Sequence, residues 1–157
     1  QFNSPEMGER KLWILLKTLK IFKHLKKSNT DSKRLSKVIN ISSINGLTLD
    51  QDHSYGYHAS KAGLLHLTRQ MSIELIKDGI SVNAICPGAF PSNMNQYARD
   101  YPYETAKYIP VGRTGTPEDI APVIMFLLSD MTQWIRGFNI QADGGMASNI
   151  LCNKHSL

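Results

Sequence analysis

Tyr57 and Lys61 stand four residues apart, and a helix through them turns both side chains the same way. A lysine cation close to a phenol favours the phenolate. A tyrosine so placed can pass a proton to, or take one from, a carbinol or carbonyl oxygen near neutral pH. Ser43, upstream at the end of Val38-Ile39-Asn40-Ile41-Ser42-Ser43, offers a hydroxyl to the same oxygen as charge develops there. Spacing alone is a weak signal: the chain's composition yields about 0.5 chance matches to Tyr-x-x-x-Lys. A second match, Tyr103 with Lys107, is present. That pair follows Pro102 in an irregular stretch, with no serine-ended strand before it. Context, not spacing, singles out Tyr57.

The elements that must position these residues alternate in type. Residues 11–27 repeat apolar side chains at Leu12, Leu15, Leu16, Leu19, Phe22 and Leu25, with Lys17, Lys20, His24 and Lys27 opposite. This is close to helical spacing. A polar connection, Ser28 to Lys37, leads into the β-branched run Val38–Ile41, which predicts a strand. A helix is expected from about Tyr57 to Lys77, with Gly79 closing it in a left-handed cap. Ile80 to Cys86 predicts a second strand, halted by Pro87-Gly88. Residues 89–115 carry Pro91, Pro102 and Pro110 and predict a long excursion with a short helix inside. Thr116-Pro117-Glu118-Asp119 is a helix start, followed by the apolar face Ile120, Val123, Ile124, Leu127 and Leu128, with Pro122 removing one hydrogen bond. Phe138 to Ala142 predicts a last strand, ending in Asp143-Gly144-Gly145. Helix–strand–helix–strand–helix–strand implies a parallel sheet with crossover helices. In such sheets ligands bind beyond the carboxyl ends of the strands, here Ser42-Ser43, Cys86-Pro87-Gly88 and Asp143-Gly144-Gly145. Every strand must also end in turn residues, so these ends carry no function by themselves.

Together these segments resemble the short-chain dehydrogenase/reductase family. The residues that carry the resemblance are Ile41-Ser42-Ser43, Tyr57-His58-Ala59-Ser60-Lys61-Ala62-Gly63, and Val82 to Met94 with its Cys86-Pro87-Gly88 core. Gly112-Arg113, Thr116 to Ala121 and Asp143-Gly144-Gly145 complete it, in the family's order and spacing over residues 38–146. The resemblance implies that Tyr57 is the catalytic acid/base and that Lys61 tunes it and bonds the nicotinamide ribose. Ser43 would orient the substrate oxygen. Pro87, Gly88, Phe90 and Ser92 would lie against the nicotinamide, Ser92 standing where threonine is usual. Residues 93–115 would form the substrate lid. The cofactor implied is NADP or NAD, with NADP preferred, and the substrate a carbonyl, alcohol or acyl compound. The run Cys86 to Met94 is most similar to members that reduce 3-oxoacyl chains, including rhamnolipid-type reductases. A homo-oligomer is implied as well, through the helix before the Ser43 strand and the helix bearing Tyr57.

Parts of the family pattern are missing from these 157 residues. No G-x-x-x-G-x-G turn feeds a helix, and no Asn-Asn-Ala-Gly segment occurs. Those parts cradle the adenine and pyrophosphate. The family's helix asparagine would fall near Arg10, and no Asn occupies positions 4 to 28. The chain starts with Gln1, which suits a processed product or a fragment. The expected fold is therefore α/β: a partial Rossmann-like, doubly wound parallel sheet of three strands and three main helices, without the N-terminal dinucleotide-binding half. Residues 1–37 would be a basic N-terminal segment and 38–157 the C-terminal catalytic portion. Such a chain should be inactive by itself. The competing reading is a truncated interaction module that keeps the dimerisation helices.

Composition narrows the remaining classes. The formal charge is +5, but residues 1–37 hold ten Lys/Arg and three acids, and the rest of the chain is net acidic. A domain-wide nucleic-acid surface is thereby disfavoured. Cys86 and Cys152 lie far apart, and His53, His58 and His66 form no ligand spacing, so neither a disulfide framework nor a metal site is expected. The longest apolar run, Leu12 to Leu16, is too short to span a membrane. A basic amphipathic helix over residues 11–27 can lie on an anionic surface; a packed helix with a solvated lysine face is the simpler expectation. No secretory signal pattern is present, and a cytoplasmic protein without membrane attachment is expected.

Overall fold

The computed structural model describes residues 24, 25, 34–49 and 54–148. The predicted helix over residues 11–27 lies outside them apart from His24 and Leu25, as do His53 and Cys152.

β-Branched residues recur in all three strands, where their stiff side chains fit a pleated, buried surface. The strands are β1 (Ser36–Ile41), β2 (Ile80–Pro87) and β3 (Asn139–Ala142). They form one parallel sheet in the order β1-β2-β3. Register places Val38 beside Val82, Ile41 beside Ile85, and Ile85 beside Ile140. All three carboxyl ends therefore open on one edge of the sheet.

Parallel neighbours require crossover connections. The first is α1 (Tyr55–Glu74), which begins two residues before the expected start. It runs into a 3₁₀ turn, Ile76–Asp78, and ends at Gly79 with φ +68°, the left-handed cap that the glycine predicts. The second holds α2 (Gln96–Asp100), α3 (Pro102–Ala106) and α4 (Pro117–Leu128). The excursion thus has two five-residue helices where one was expected. The Asn95 side chain caps the first by accepting from the Ala98 N–H at 3.2 Å, and Pro102 opens the second.

Successive strand residues point to opposite faces. On one face, Met71 of α1 packs with Ile80 and Val82, and Leu65 with Ala84 and Cys86. Leu25 packs against the first of these clusters. On the other face Lys37 Nζ donates to Thr132 Oγ1 at 3.0 Å, while Ser81 and Asn83 donate to the Ile135 carbonyl at 3.2 and 3.0 Å. Thr132 and Ile135 belong to the turn that follows α4. Helical layers thus cover both faces, and the sheet is doubly wound, α/β and Rossmann-like. Ile80 to Cys86 are all buried, as a central strand requires.

α4 starts as its sequence predicts. The Thr116 N–H donates to Asp119 Oδ2 at 2.8 Å and Pro117 takes the first helical position. Of its expected apolar face, Leu127 is 1% exposed but Leu128 is 49% exposed. Leu128 lies about 80° round the helix from Ile120 at 100° per residue, at the margin of the buried stripe. Among the described residues β1 pairs with β2 alone, so its other side is a free edge.

Candidate active site

The last ladder bond of β1 and β2 runs from the Ser42 N–H to the Ile85 carbonyl at 2.8 Å. The chain then tightens into the 3₁₀ turn Ile44–Gly46, with Ser43 at its start accepting from the Asn45 N–H at 3.2 Å. α1 begins after Ser54, whose carbonyl takes the Tyr57 N–H at 2.9 Å. Lys61 lies one turn further on. Its ammonium donates to the Ile41 carbonyl at 3.0 Å and stands 5.5 Å from the centroid of the Tyr57 ring. In return, Ser42 Oγ donates to the Lys61 carbonyl at 3.0 Å. Two hydrogen bonds of opposite sense therefore clasp the end of β1 to the turn of α1 that carries both residues. A Cβ on Gly46 would come within 2.8 Å of the Lys61 carbonyl carbon, so the close approach requires glycine there.

Cys86 sits beneath this clasp, fully buried at the end of β2. Burial pushes its thiol up, against a hydrogen bond from the Ser43 backbone N–H that favours the thiolate. The neutral thiol serves as a small core group.

Pro87 ends β2 opposite Ala142, and the Gly88 N–H donates to the Ala142 carbonyl at 3.0 Å. A Cβ on Gly88 would stand 2.8 Å from the Asp143 Cα, so the two strand ends touch only because position 88 lacks one. Asp143 holds the turn beyond β3, accepting from the Gly145 and Ala147 N–H groups at 2.9 and 2.7 Å. The Phe90 ring lies over Gly115, where a Cβ would meet it at 2.5 Å. Ser92 is exposed, and its hydroxyl accepts from the Asn95 N–H at 3.0 Å within its own loop. A cavity of 330 Å³ opens beyond β2 and β3, between Phe90, Val111, Arg113, Val123 and Ala142; Ser43, Tyr57 and Lys61 do not line it.

Tyr57 and Lys61 are thus brought together, and Lys61 is carried to the strand end that bears Ser43. Pro87 and Gly88 lie on the same carboxyl edge of the sheet, whereas Ser92 is engaged in the excursion. The competing pair is set apart: Tyr103 is 83% exposed on the five-residue α3. Sequence reasoning missed Ser42 and Gly46, whose partners lie 15 to 19 residues away, although a second serine beside Ser43 and a glycine three residues on were visible signals. A phenol, an ammonium and a hydroxyl at one strand end suit recognition of a carbonyl or carbinol oxygen and of sugar hydroxyls. No group of His, Cys, Asp and Glu among the described residues could hold a metal ion. No helix among them is long and apolar enough to cross a membrane.

The family model described as enoyl-(acyl carrier protein) reductase matches residues 16–147. A 3-oxoacyl-[acyl-carrier-protein] reductase, FabG, of Rickettsia felis is 40% identical over 114 residues, covering 72% of this chain and 47% of that protein. An acetoacetyl-CoA reductase of Rhizobium meliloti is 40% identical over 123 residues, covering 75% of this chain and 49% of the relative. Among solved structures, the RhlG/NADP active-site complex of Pseudomonas aeruginosa superposes with a TM-score of 0.71 at 33% identity, covering 78% of this chain and 51% of that one. The chain spans about half the length of the relatives it matches. The residues at the carboxyl edge of the sheet, the doubly wound fold and these matches agree: the chain belongs to the short-chain dehydrogenase/reductase family.

Proposed function

We propose that this chain carries the catalytic half of an NAD(P)-dependent oxidoreductase acting on a carbonyl or alcohol, with 3-oxoacyl compounds as the preferred substrates. One observation carries the reading: Lys61 bridges the Ile41 carbonyl and the Tyr57 ring, which ties the helix of the phenol to the strand end of Ser43. The donor set fits the nicotinamide-ribose end of a dinucleotide. The 157 residues hold no glycine-rich turn for the pyrophosphate, so the fit is to part of the cofactor. When bound, a reduced nicotinamide supplies a hydride to a carbonyl carbon.

The protein's own residues do the rest. Tyr57 donates its phenolic proton to the carbonyl oxygen as that oxygen gains charge. The Lys61 ammonium holds the developing phenolate in place and reaches the ribose hydroxyls. Ser43 donates a hydrogen bond to the same substrate oxygen. Pro87, Gly88 and Phe90 would form the wall against the nicotinamide ring, and Ser92 would face its carboxamide. NADP is the preferred form, as in the RhlG complex. The assembly is a homo-oligomer.

By itself the 157-residue chain is inactive. Purified, it should show no protection by NADPH in a melting assay and no reduction of a 3-oxoacyl thioester; robust reduction would overturn this point. Placed in frame behind the glycine-rich half of the Rickettsia relative, it should reduce the thioester. Tyr57→Phe should then lower kcat by about 10²–10⁴-fold. The second reading, a non-catalytic interaction module, is favoured by the missing glycine-rich turn. It predicts that the joined protein folds and self-associates but reduces nothing.

A further inference from the structure

Two serines follow one another at the end of β1, and their side chains take different directions. The backbone of Ser42 is fixed by the ladder bond from its N–H to the Ile85 carbonyl at 2.8 Å. Ser43 is extended, with φ −166° and ψ 158°, and in extended chain successive side chains point to opposite sides. Ser43 is the serine assigned to the substrate oxygen. Ser42 is 3% exposed, and its hydroxyl turns to α1, donating to the Lys61 carbonyl at 3.0 Å. A carbonyl inside a helix already accepts from the N–H four residues on, so Ser42 uses its second lone pair.

That bond fixes something the apolar contacts leave loose. The cluster beneath this part of the helix joins Leu65 to Ile44, Ala84 and Cys86. Apolar burial is non-directional, and the small Ala84 and Cys86 side chains offer little to stop a helix from sliding along its axis. Hydrogen bonds do define a height. Asn40, on the same face of β1 as Ser42, donates from Nδ2 to Thr68 Oγ1 at 2.9 Å. Thr68 lies about two turns beyond Lys61, so that bond holds the middle of α1 and Ser42 holds the end that carries Tyr57. The reciprocal bond, from Lys61 Nζ to the Ile41 carbonyl, runs through a flexible four-carbon stem that can follow a shifted helix. The single carbon of serine cannot. A slip of one residue would carry the phenol about 1.5 Å along the axis.

We propose that Ser42 is a positioning residue for the reaction: through the Lys61 carbonyl it sets the height of α1 over the strand ends, and so the placement of the Tyr57 phenol against the oxygen that Ser43 binds. The inference rests on the roles proposed for Ser43, Tyr57 and Lys61. Ser42 itself touches neither substrate nor cofactor.

Gly46 supplies a gauge of that height, since a Cβ there would stand 2.8 Å from the Lys61 carbonyl carbon and 3.0 Å from the Ala62 nitrogen. In the full chain, the Gly46 α-protons should show strong magnetisation transfer to the Ala62 amide proton. Ser42→Ala should weaken that transfer, whereas Gly79→Ala, which lies at the far end of α1, should leave it intact. In the joined protein, Ser42→Ala should lower kcat about 10- to 100-fold, the scale of an ångström's misplacement. The KM for the 3-oxoacyl thioester should stay the same, as expected when the loss falls on the transition state. Gly79→Ala should keep its kcat, and Ser42→Thr, which retains the hydroxyl, should regain most of the lost rate. Undiminished Gly46–Ala62 transfer or unchanged kcat in a folded Ser42→Ala overturns the proposal. So does an equal loss of rate in Gly79→Ala, or no recovery in a folded Ser42→Thr. If Ser42→Ala fails to fold, Ser42→Cys, with its weak S–H donor, is read in its place. If the unsubstituted joined protein reduces nothing, the catalytic reading fails, and the Gly46–Ala62 transfer alone decides whether Ser42 sets the height of α1.

Discussion

Ser42, Gly46 and Lys61 define the residue scale of this protein, because each is confined by a different kind of contact. Ser42 is buried and donates to the Lys61 carbonyl; Gly46 lets two backbones approach where a Cβ would stand 2.8 Å from a carbonyl carbon. Gly46→Ala must therefore push the end of β1 away from α1, and urea melts should show a loss of about 1–3 kcal/mol, the usual range for overpacking. Ser42→Ala should cost about 1 kcal/mol as the net value of one hydrogen bond. A second prediction concerns acid. The Arg113 guanidinium beside Asp119, helped by the Thr116 N–H, holds the Asp119 carboxyl far below the usual carboxylate range. A carboxyl depressed in the folded state stabilises it above the unfolded pKa of about 4, and that contribution is lost as pH falls through the folded value. Melting temperatures of the chain should accordingly fall below about pH 4 with a steeper slope than those of Asp119→Asn. Because the pair is exposed, added salt should shrink the difference. Tyr57 and Lys61 were legible from spacing and context. Their support was not, since a hydrogen bond across 19 residues leaves no local pattern.

At the scale of elements, local rules did most of the work. β-Branched runs became strands, Thr116 and Pro117 opened α4, and Gly79 closed the turn after α1. Gly79 sits at φ +68°, where a side chain is strained by roughly 1–2 kcal/mol. Gly79→Ala should thus lower stability by about 1 kcal/mol in a denaturant melt. The substitution should leave the site untouched, since it lies at the opposite end of α1 from Tyr57. The excursion was harder to read: Pro102 splits what looked like one helix into two, and Asn95 caps the first through its own side chain. Leu128 was assigned inward by a count of apolar spacing, and it stands at the edge of the stripe instead. Periodicity marks a face, whereas the width of the buried strip depends on what packs against it.

At the scale of the whole molecule, large apolar side chains are left uncovered from α4 to the start of β3. Met125, Phe126, Met131 and Phe138 are exposed, and Trp134 is 96% exposed. Large exposed apolar groups favour association, and β1 adds an unpaired edge among the described residues. The chain should therefore self-associate as concentration rises, and Trp134→Glu should shift its sedimentation toward the monomer. An unchanged sedimentation profile would point instead to pairing through α1.

The amino-acid sequence by itself determined the class of chemistry and the order of elements. Side-chain types at fixed spacing, strand runs and helix caps are local, and a linear pattern records local constraints directly. The basic charge was likewise traced to residues 1–37, leaving a net-acidic remainder. Only the tertiary structure decided that Lys61 donates a hydrogen bond to the Ile41 carbonyl, that Gly88 abuts Asp143, and that a cavity opens beyond β2 and β3 without Ser43, Tyr57 or Lys61 in its lining. Each of those depends on how closely two distant backbones approach, and that distance is set by parallel register and packing across the sheet.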